Sequence, residues 1–192
     1  MIKKGYIIKL EIENFAFGGK GIGKVKELDK DFIVFVQHGI AGQLVNVKIT
    51  KKKTAYAEAI IQEVLKRSKL EISSSYQEIS GAPYINLPIE DQKNMKIHVT
   101  KDVFSRIGKL ENSEIYFDNW IPSPYSHHYR NKMEYSFSSI GYDFKKKKVV
   151  DDCFSLGFKR KGTWWIVENL DADSGLFDKE LESRLNEIRK YL

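Results

Sequence analysis

A chain of 192 residues, 42% apolar and 30% charged, has room for one ordinary domain or two small ones and is too apolar to stay disordered. No apolar run approaches the roughly 20 residues that cross a bilayer, and the N-terminus opens on an alternating pattern instead of a signal-peptide block, so a soluble, cytoplasmic protein without membrane contact is expected. The single cysteine, Cys153, excludes an internal disulfide and a Cys-rich metal site. Of the net charge of +6, much is local: residues 1–66 hold twelve Lys against seven acids, and residues 128–165 hold nine Lys or Arg against four. Two basic regions suit a polyanion such as RNA, and lysine as a plain solubilising residue accounts for them equally well.

In Tyr6–Asn14, Ile8, Leu10 and Ile12 face one way and Lys9, Glu11 and Glu13 the other, the period-two pattern of a half-buried strand. Gly18, Gly19, Gly21 and Gly23 then read as a turn with Lys20 and Lys24 among them. Asp31–Gln37 is a β-branched and aromatic run that predicts a buried strand. Gly39 and Gly42 make the next turn, and Val45, Val47 and Ile49 alternate before a Lys51-Lys52-Lys53 turn. Ala55–Leu65 is a longer strand with the small residues Ala57 and Ala59 on one face, suited to a tight barrel interior. Five short strands with such turns predict a small closed barrel of OB type over residues 1–67.

Residues 68–89 fade into polar, serine-rich sequence and read as a linker. From 90 to 192 the pattern is α+β. A helix is predicted over Glu90–Gly108, with Met95, Val99, Val103 and Ile107 at steps of four and Thr100 and Phe104 beside them. Strands are predicted at Tyr129–Ser138 and Trp164–Glu168, and a closing helix from an Asp178 N-cap with Leu181, Leu185, Ile188 and Leu192 on one stripe. The chain stops inside that helical pattern, as an incomplete second domain would.

Three sets of residues carry a resemblance. The run Gly21-Ile22-Gly23, Phe35-Val36, Gly39, Gly42-Gln43-Leu44-Val45, Ala55-Tyr56-Ala57 and Ser68 is similar to a TRAM domain, an RNA-binding barrel. Asn86-Leu87-Pro88 with Gln92 and Lys96, then Arg106-Ile107-Gly108, resembles the central domain of the RNA 5-methyluridine methyltransferases. So does Tyr129-Arg130-Asn131-Lys132-Met133-Glu134-Tyr135-Ser136-Phe137 followed by Leu156-Gly157-Phe158-Lys159-Arg160-Lys161-Gly162. The resemblance implies an RNA-recognition portion of a methyltransferase that uses S-adenosylmethionine, and ribosomal RNA as substrate more than tRNA. A standalone RNA-binding protein is the alternative.

That family attacks uracil C6 with a cysteine and takes the methyl group from S-adenosylmethionine in a further domain. No residue here matches that machinery, and the Gly18–Gly23 cluster lies between strands, so the chain alone is expected to be inactive and to hold no cofactor. The missing domain could be separately encoded. Many family members also hold a four-iron, four-sulfur cluster; its thiolate run falls here on Ser73, Ile79, Ser80, Gly81 and Ala82, and the fourth ligand near Ser174. With no thiolate there, no cluster is expected. Cys153 matches no family motif and reads as an inert or surface thiol.

The candidate RNA contacts are Lys20, Lys24, Lys51, Lys52 and Lys53 in barrel turns, and Tyr129, Arg130 and Lys132 on the strand Tyr129–Ser138. On an extended strand Arg130 and Lys132 share one face, with Asn131, Met133, Tyr135 and Phe137 on the other. Arg grips phosphate bidentately and Lys as a point charge. Tyr125, Tyr129, Phe15 and Phe17 suit either base stacking or core filling. Of adjacent Trp164 and Trp165, a strand would turn one in and one out. His127 and His128 lack a third ligand at metal-site spacing, so no metal is expected.

Overall fold

The structure, a computed structural model, describes residues 2–27, 30–144, 146 and 148–191. It is α+β and divides into two compact units: Met1–Ser73 with Asn86–Trp120, and Ser74–Ile85 with Ile121–Leu192. This partition cuts the chain differently from boundaries at 67 and 89. The segment read as a linker is shared between the units, and the long helix groups with the barrel.

The first unit holds strands β1 (Ile7–Glu11), β2 (Asn14–Ala16), β3 (Lys20–Glu27), β4 (Lys30–Gln37), β5 (Leu44–Lys52) and β6 (Tyr56–Lys66), hydrogen-bonded in the order β1-β5-β6-β4-β3-β2. Six strands stand where five were expected, because the first strand bends at Ile12 and Glu13. Ile12 donates from its backbone to Gln43, beside β5, and Glu13 to Ile22 on β3. The two ends of the ladder are therefore consecutive halves of one segment, and the sheet curls round on itself. Inside lie Leu10, Ile12, Phe32, Val34, Val36, Val45, Val47, Ile49, Ala57 and Ala59, all buried. Every second residue from Phe32 to Val36 on β4, from Val45 to Ile49 on β5 and at Ala57 and Ala59 of β6 points inward, as the alternation required, and the end of β6 is exposed. The curl is tight: a Cβ at Gly23 would stand 2.5 Å from the Glu11 carbonyl oxygen, so only glycine lets β3 cross β1 there.

Helix α1 (Ile89–Asp102) starts after Pro88 and continues as a wider π-type turn over Val103–Ile107 to Gly108. Its expected stripe fades along its length: Met95 and Val99 are buried, Val103 is half-buried and Ile107 is exposed. Thr100 and Phe104 are exposed too. α1 contacts β2.

The second unit is a five-stranded sheet ordered β7-β10-β11-β8-β9, from β7 (Ser136–Ser138), β8 (Gly141–Asp143), β9 (Lys148–Val150), β10 (Ser155–Lys159) and β11 (Val167–Asn169). Helix α2 (Lys179–Lys190) packs against β10, and its N-cap Asp178 accepts from the Leu181 N–H at 2.8 Å. The strand expected over Tyr129–Ser138 is shorter: only Ser136–Ser138 pairs, with β10, while Tyr129–Tyr135 is irregular. The strand expected at Trp164–Glu168 begins at Val167. On α2 only Leu185 of the expected stripe is buried; Leu181 and Ile188 are exposed, and Leu192 lies outside the described residues. The face turned inward carries Glu182 instead.

Candidate nucleic-acid interface

On the barrel, Lys20 and Lys24 are not in a turn but on β3, whose glycines serve close approach. The turn is confined to residues 17–19, where Gly18 and Gly19 take φ of 81° and 80°. Lys20 Nζ lies 3.4 Å from Glu58 Oε2, and Lys24 Nζ 3.4 Å from Glu13 Oε2. Lys51 and Lys52 belong to the end of β5, and only Lys53 lies beyond it, where its N–H donates to the Tyr56 carbonyl. Lys51 stands opposite Glu58 in the ladder, so Lys20 and Lys51 flank one carboxylate. Lys52 Nζ lies 5.1 Å from the centre of the Phe32 ring. These pairs are at least partly exposed, and screening leaves the lysines able to meet phosphate.

The outward face of β4 and β6 carries an element the sequence pattern hid. Phe35 and Tyr56 meet edge to face at 5.5 Å, both half-buried and both on the side away from the core. The signal was available: Phe35 occupies the opposite parity to Phe32, Val34 and Val36. Of the aromatics at the first turn, Phe17 is 79% exposed, while Phe15 is half-buried beneath α1.

In the second unit, Tyr129, Arg130 and Lys132 are all exposed. The Arg130 backbone is held through its N–H to the Leu176 carbonyl at 3.1 Å, while its guanidinium makes no hydrogen bond or ion pair among the described residues. Lys132 pairs with Glu134 at 3.1 Å with both side chains about four-fifths exposed, an arrangement worth little in water. The preceding corner is tied to the rest of the unit by its two histidines. His127 stacks on Tyr76 at 4.5 Å, and His128, at φ 52°, sets Nε2 3.0 Å from both carboxylate oxygens of Asp173. Tyr125 is exposed. Trp164 and Trp165 are both exposed, 76% and 45%, and stack edge to face on each other at 5.3 Å, since they lie on a turn and not a strand.

Beneath these residues the unit's core combines Ile79, Leu156, Leu170 and Leu185 with two buried carboxylates. Glu168 accepts from the Ser80 N–H at 2.8 Å and from Arg160 at 2.6 Å, and Arg160 itself lies 3.4 Å over the Tyr142 ring. Glu182 accepts from the Ser174 N–H, the Ser174 hydroxyl and the Tyr135 hydroxyl, at 2.7, 2.8 and 3.0 Å. Burial, and then the Glu182 charge, push the Tyr135 hydroxyl pKa well above its usual value. Cys153 is half-buried, its Sγ 3.3 Å from the Val150 carbonyl and from Ser155 Oγ. Among the described residues no three His, Cys, Asp or Glu side chains group as a metal site, and no helix is long and apolar enough to cross a membrane.

Residues 3–61 match the TRAM domain. Over 192 residues the chain is 36% identical to a protein named uncharacterized RNA methyltransferase TTE1797 of Caldanaerobacter subterraneus subsp. tengcongensis, covering 98% of this chain and 39% of that one. An uncharacterized RNA methyltransferase of Clostridium tetani is 30% identical over 99% of this chain and 39% of its own. One of Fusobacterium nucleatum, FN1713, is 28% identical over 100% of this chain and 38% of its own. The chain thus carries a TRAM domain and is homologous, along nearly its whole length, to part of proteins named RNA methyltransferases. It spans about two-fifths of their length.

Proposed function

We propose that this chain is the RNA-recognition portion of an S-adenosylmethionine-dependent RNA (uracil-5-)-methyltransferase that acts on large-subunit ribosomal RNA in the cytoplasm. The observation that carries the reading is homology to RNA methyltransferases running through both units, with a TRAM domain on the first. The cations support it: exposed Lys24, Lys51 and Lys53 with half-buried Lys20 on the barrel, and, on the second unit, Lys132, Tyr129 and Arg130, whose guanidinium has no partner among the described residues. Cations of this kind supply most of the affinity for a phosphate backbone and make it salt-dependent.

Methyl transfer needs residues outside these 192, from the rest of a longer chain or from a separately encoded domain. S-adenosylmethionine would supply the methyl group there. The second unit is also proposed to hold no iron–sulfur cluster. At the positions the family's thiolates would take, Ile79 and Ala82 pack into the apolar core and Ser174 is fully buried on Glu182, a donor set unfit for iron.

Two measurements test the reading. Fluorescence anisotropy with labelled fragments of large-subunit ribosomal RNA is expected to give binding that weakens steeply between low and physiological salt. Equal, salt-insensitive binding to a neutral polymer would refute RNA recognition. Incubation with radiolabelled S-adenosylmethionine and unmodified ribosomal RNA is expected to leave the RNA unlabelled, and label in the RNA would refute the division of labour.

A further inference from the structure

Where α1 lies on the barrel, the helix does not close down on β2. Between them is a cavity of about 240 Å3, lined by Asn14 and Phe15 of β2, by Ala41, Leu70 and Leu87, and by Asp91, Asn94, Met95 and His98 of α1. Those four helix positions are spaced 3, 1 and 3 residues apart and share one face. A helix packed for stability alone would present apolar residues along such a stripe. Here only Met95 does so; it is buried, as is Leu87, while Phe15 and Leu70 are half-buried.

The other three positions and Asn14 form a polar rim. Asn14 Nδ2 lies 3.3 Å from His98 Nε2. The Asp91 carboxylate and the Asn94 amide make no hydrogen bond or ion pair among the described residues. Apolar surfaces between which a flat ring can lie, with unspent donors and acceptors at the margin, are what a nucleobase requires: its faces shed water and its edges need partners. The volume is below the roughly 300 Å3 at which drug-sized sites begin, and suits one base.

We infer that this cavity is a subsite for a single unstacked guanine of the bound RNA. The inference rests on the RNA-binding reading above and sharpens it. The choice of base follows from Asp91. An ionised carboxylate only accepts hydrogen bonds, so it matches an edge with donors. Guanine offers two adjacent donors, N1–H and the 2-amino group, to the two carboxylate oxygens. Uracil offers one N–H between two carbonyl oxygens that the carboxylate repels. Asn94, both donor and acceptor, remains for the O6 side, whereas Asn14 is already engaged, its Oδ1 accepting from the Phe15 N–H at 2.8 Å and its Nδ2 beside His98. The site therefore reads a base other than the one that the proposed chemistry would modify, and fixes the register of the strand.

The test uses the full 192-residue chain and nine-nucleotide RNAs of uridine in which only the central base is varied, with affinities from fluorescence anisotropy at low salt. The expected result is at least ten-fold tighter binding with central guanine than with central uracil. Asp91→Asn is expected to reduce that ratio below two-fold, while raising the affinity for all four RNAs slightly and alike because it removes a negative charge. Asn is nearly isosteric and Asp91 is half-exposed, so the fold is retained, and a thermal melt checks it. Phe15→Leu, which keeps an apolar side chain but removes the ring, is expected to weaken the guanine-containing RNA more than the others. Equal binding of all four central bases, preference for another base, or a guanine preference that survives Asp91→Asn overturns the subsite while leaving the RNA reading intact. Absence of binding to every one of these RNAs at low salt sinks both.

Discussion

The two units are stabilised by different means. The core cluster of the barrel is aliphatic and aromatic, from Leu10 and Ile12 through Val34, Val36, Val45 and Val47 to Ala57 and Ala59, and the unit buries only neutral polar side chains, Gln43 and Ser68, among the described residues. The second unit buries four aliphatic residues in its core cluster and surrounds them with Ser155, Glu168, Ser174 and Glu182. Hydrophobic burial is non-directional and tolerates modest reshaping, whereas a buried carboxylate is tolerated only while its partners stay in place. The barrel should therefore degrade gradually under mutation and the second unit abruptly.

The sharpest way to break that contrast is Glu182→Ala. It strands the Ser174 N–H, the Ser174 hydroxyl and the Tyr135 hydroxyl, three donors that now converge on one carboxylate. Buried donors left unpaired cost about 1–3 kcal/mol each before relaxation and water entry, so a net loss of about 3 kcal/mol is expected. Hydrogen exchange read by peptide should lose protection over residues 155–190 and keep it over the barrel strands. Uniform loss across both units would show that the cores are not independent. In the barrel, Ile49→Val removes one methylene from a fully buried side chain and should cost only about 1 kcal/mol by urea denaturation. A loss like that of Glu182→Ala would erase the distinction.

The same contrast explains what the sequence made legible. Barrel strands were readable because their environment is two-sided and regular: an inward Val34 and Val36 alternate with an outward Ile33 and Phe35. The turn over Lys20–Lys24 was misplaced because glycine signals both a turn and a close backbone crossing, and only the partner strand, β1, decides between them. In the second unit β8 and β9 are three residues each, too short for any period to register. The Tyr129–Ser138 pattern alternates well, yet a strand also needs a neighbour, and β10 reaches only Ser136–Ser138. Most opaque were Glu168 and Glu182. An acid is buried only with its donors, and Ser80 lies 88 residues from Glu168 in sequence. The exposed pair Trp164 and Trp165 was equally out of reach, since a turn lets adjacent side chains point the same way.

At the surface the units contrast again, and this sets a binding prediction of intermediate size. Lys20 and Lys24 are each within reach of a carboxylate, whereas the Arg130 guanidinium has no such partner among the described residues. Forming a phosphate contact from Arg130 displaces no internal ion pair. Arg130→Ala should therefore weaken RNA binding more than Lys24→Ala, several-fold against less than two-fold at low salt, and should lower the slope of log affinity against log salt by about 1. Equal effects would mean that the carboxylates beside the barrel lysines are immaterial.

The smallest expected effect separates the units by pH. Tyr135 is neutral in the fold, and both burial and the Glu182 charge resist its ionisation. Its pKa is raised relative to the unfolded chain, so its contribution is fully present below the ordinary tyrosine value of about 10 and is lost as pH climbs past it, because the unfolded state releases the proton first. Tyr135→Phe deletes that proton together with the hydrogen bond to Glu182. At pH 8 the variant should be less stable than the parent by about 1 kcal/mol, and the gap should narrow between pH 10 and 11 as the parent alone acquires the alkaline penalty. Differencing the two proteins cancels every other tyrosine and lysine. A gap that stays constant across that range would mean that Tyr135 ionises as readily in the fold as in the unfolded chain, and that the Glu182 network is open to water.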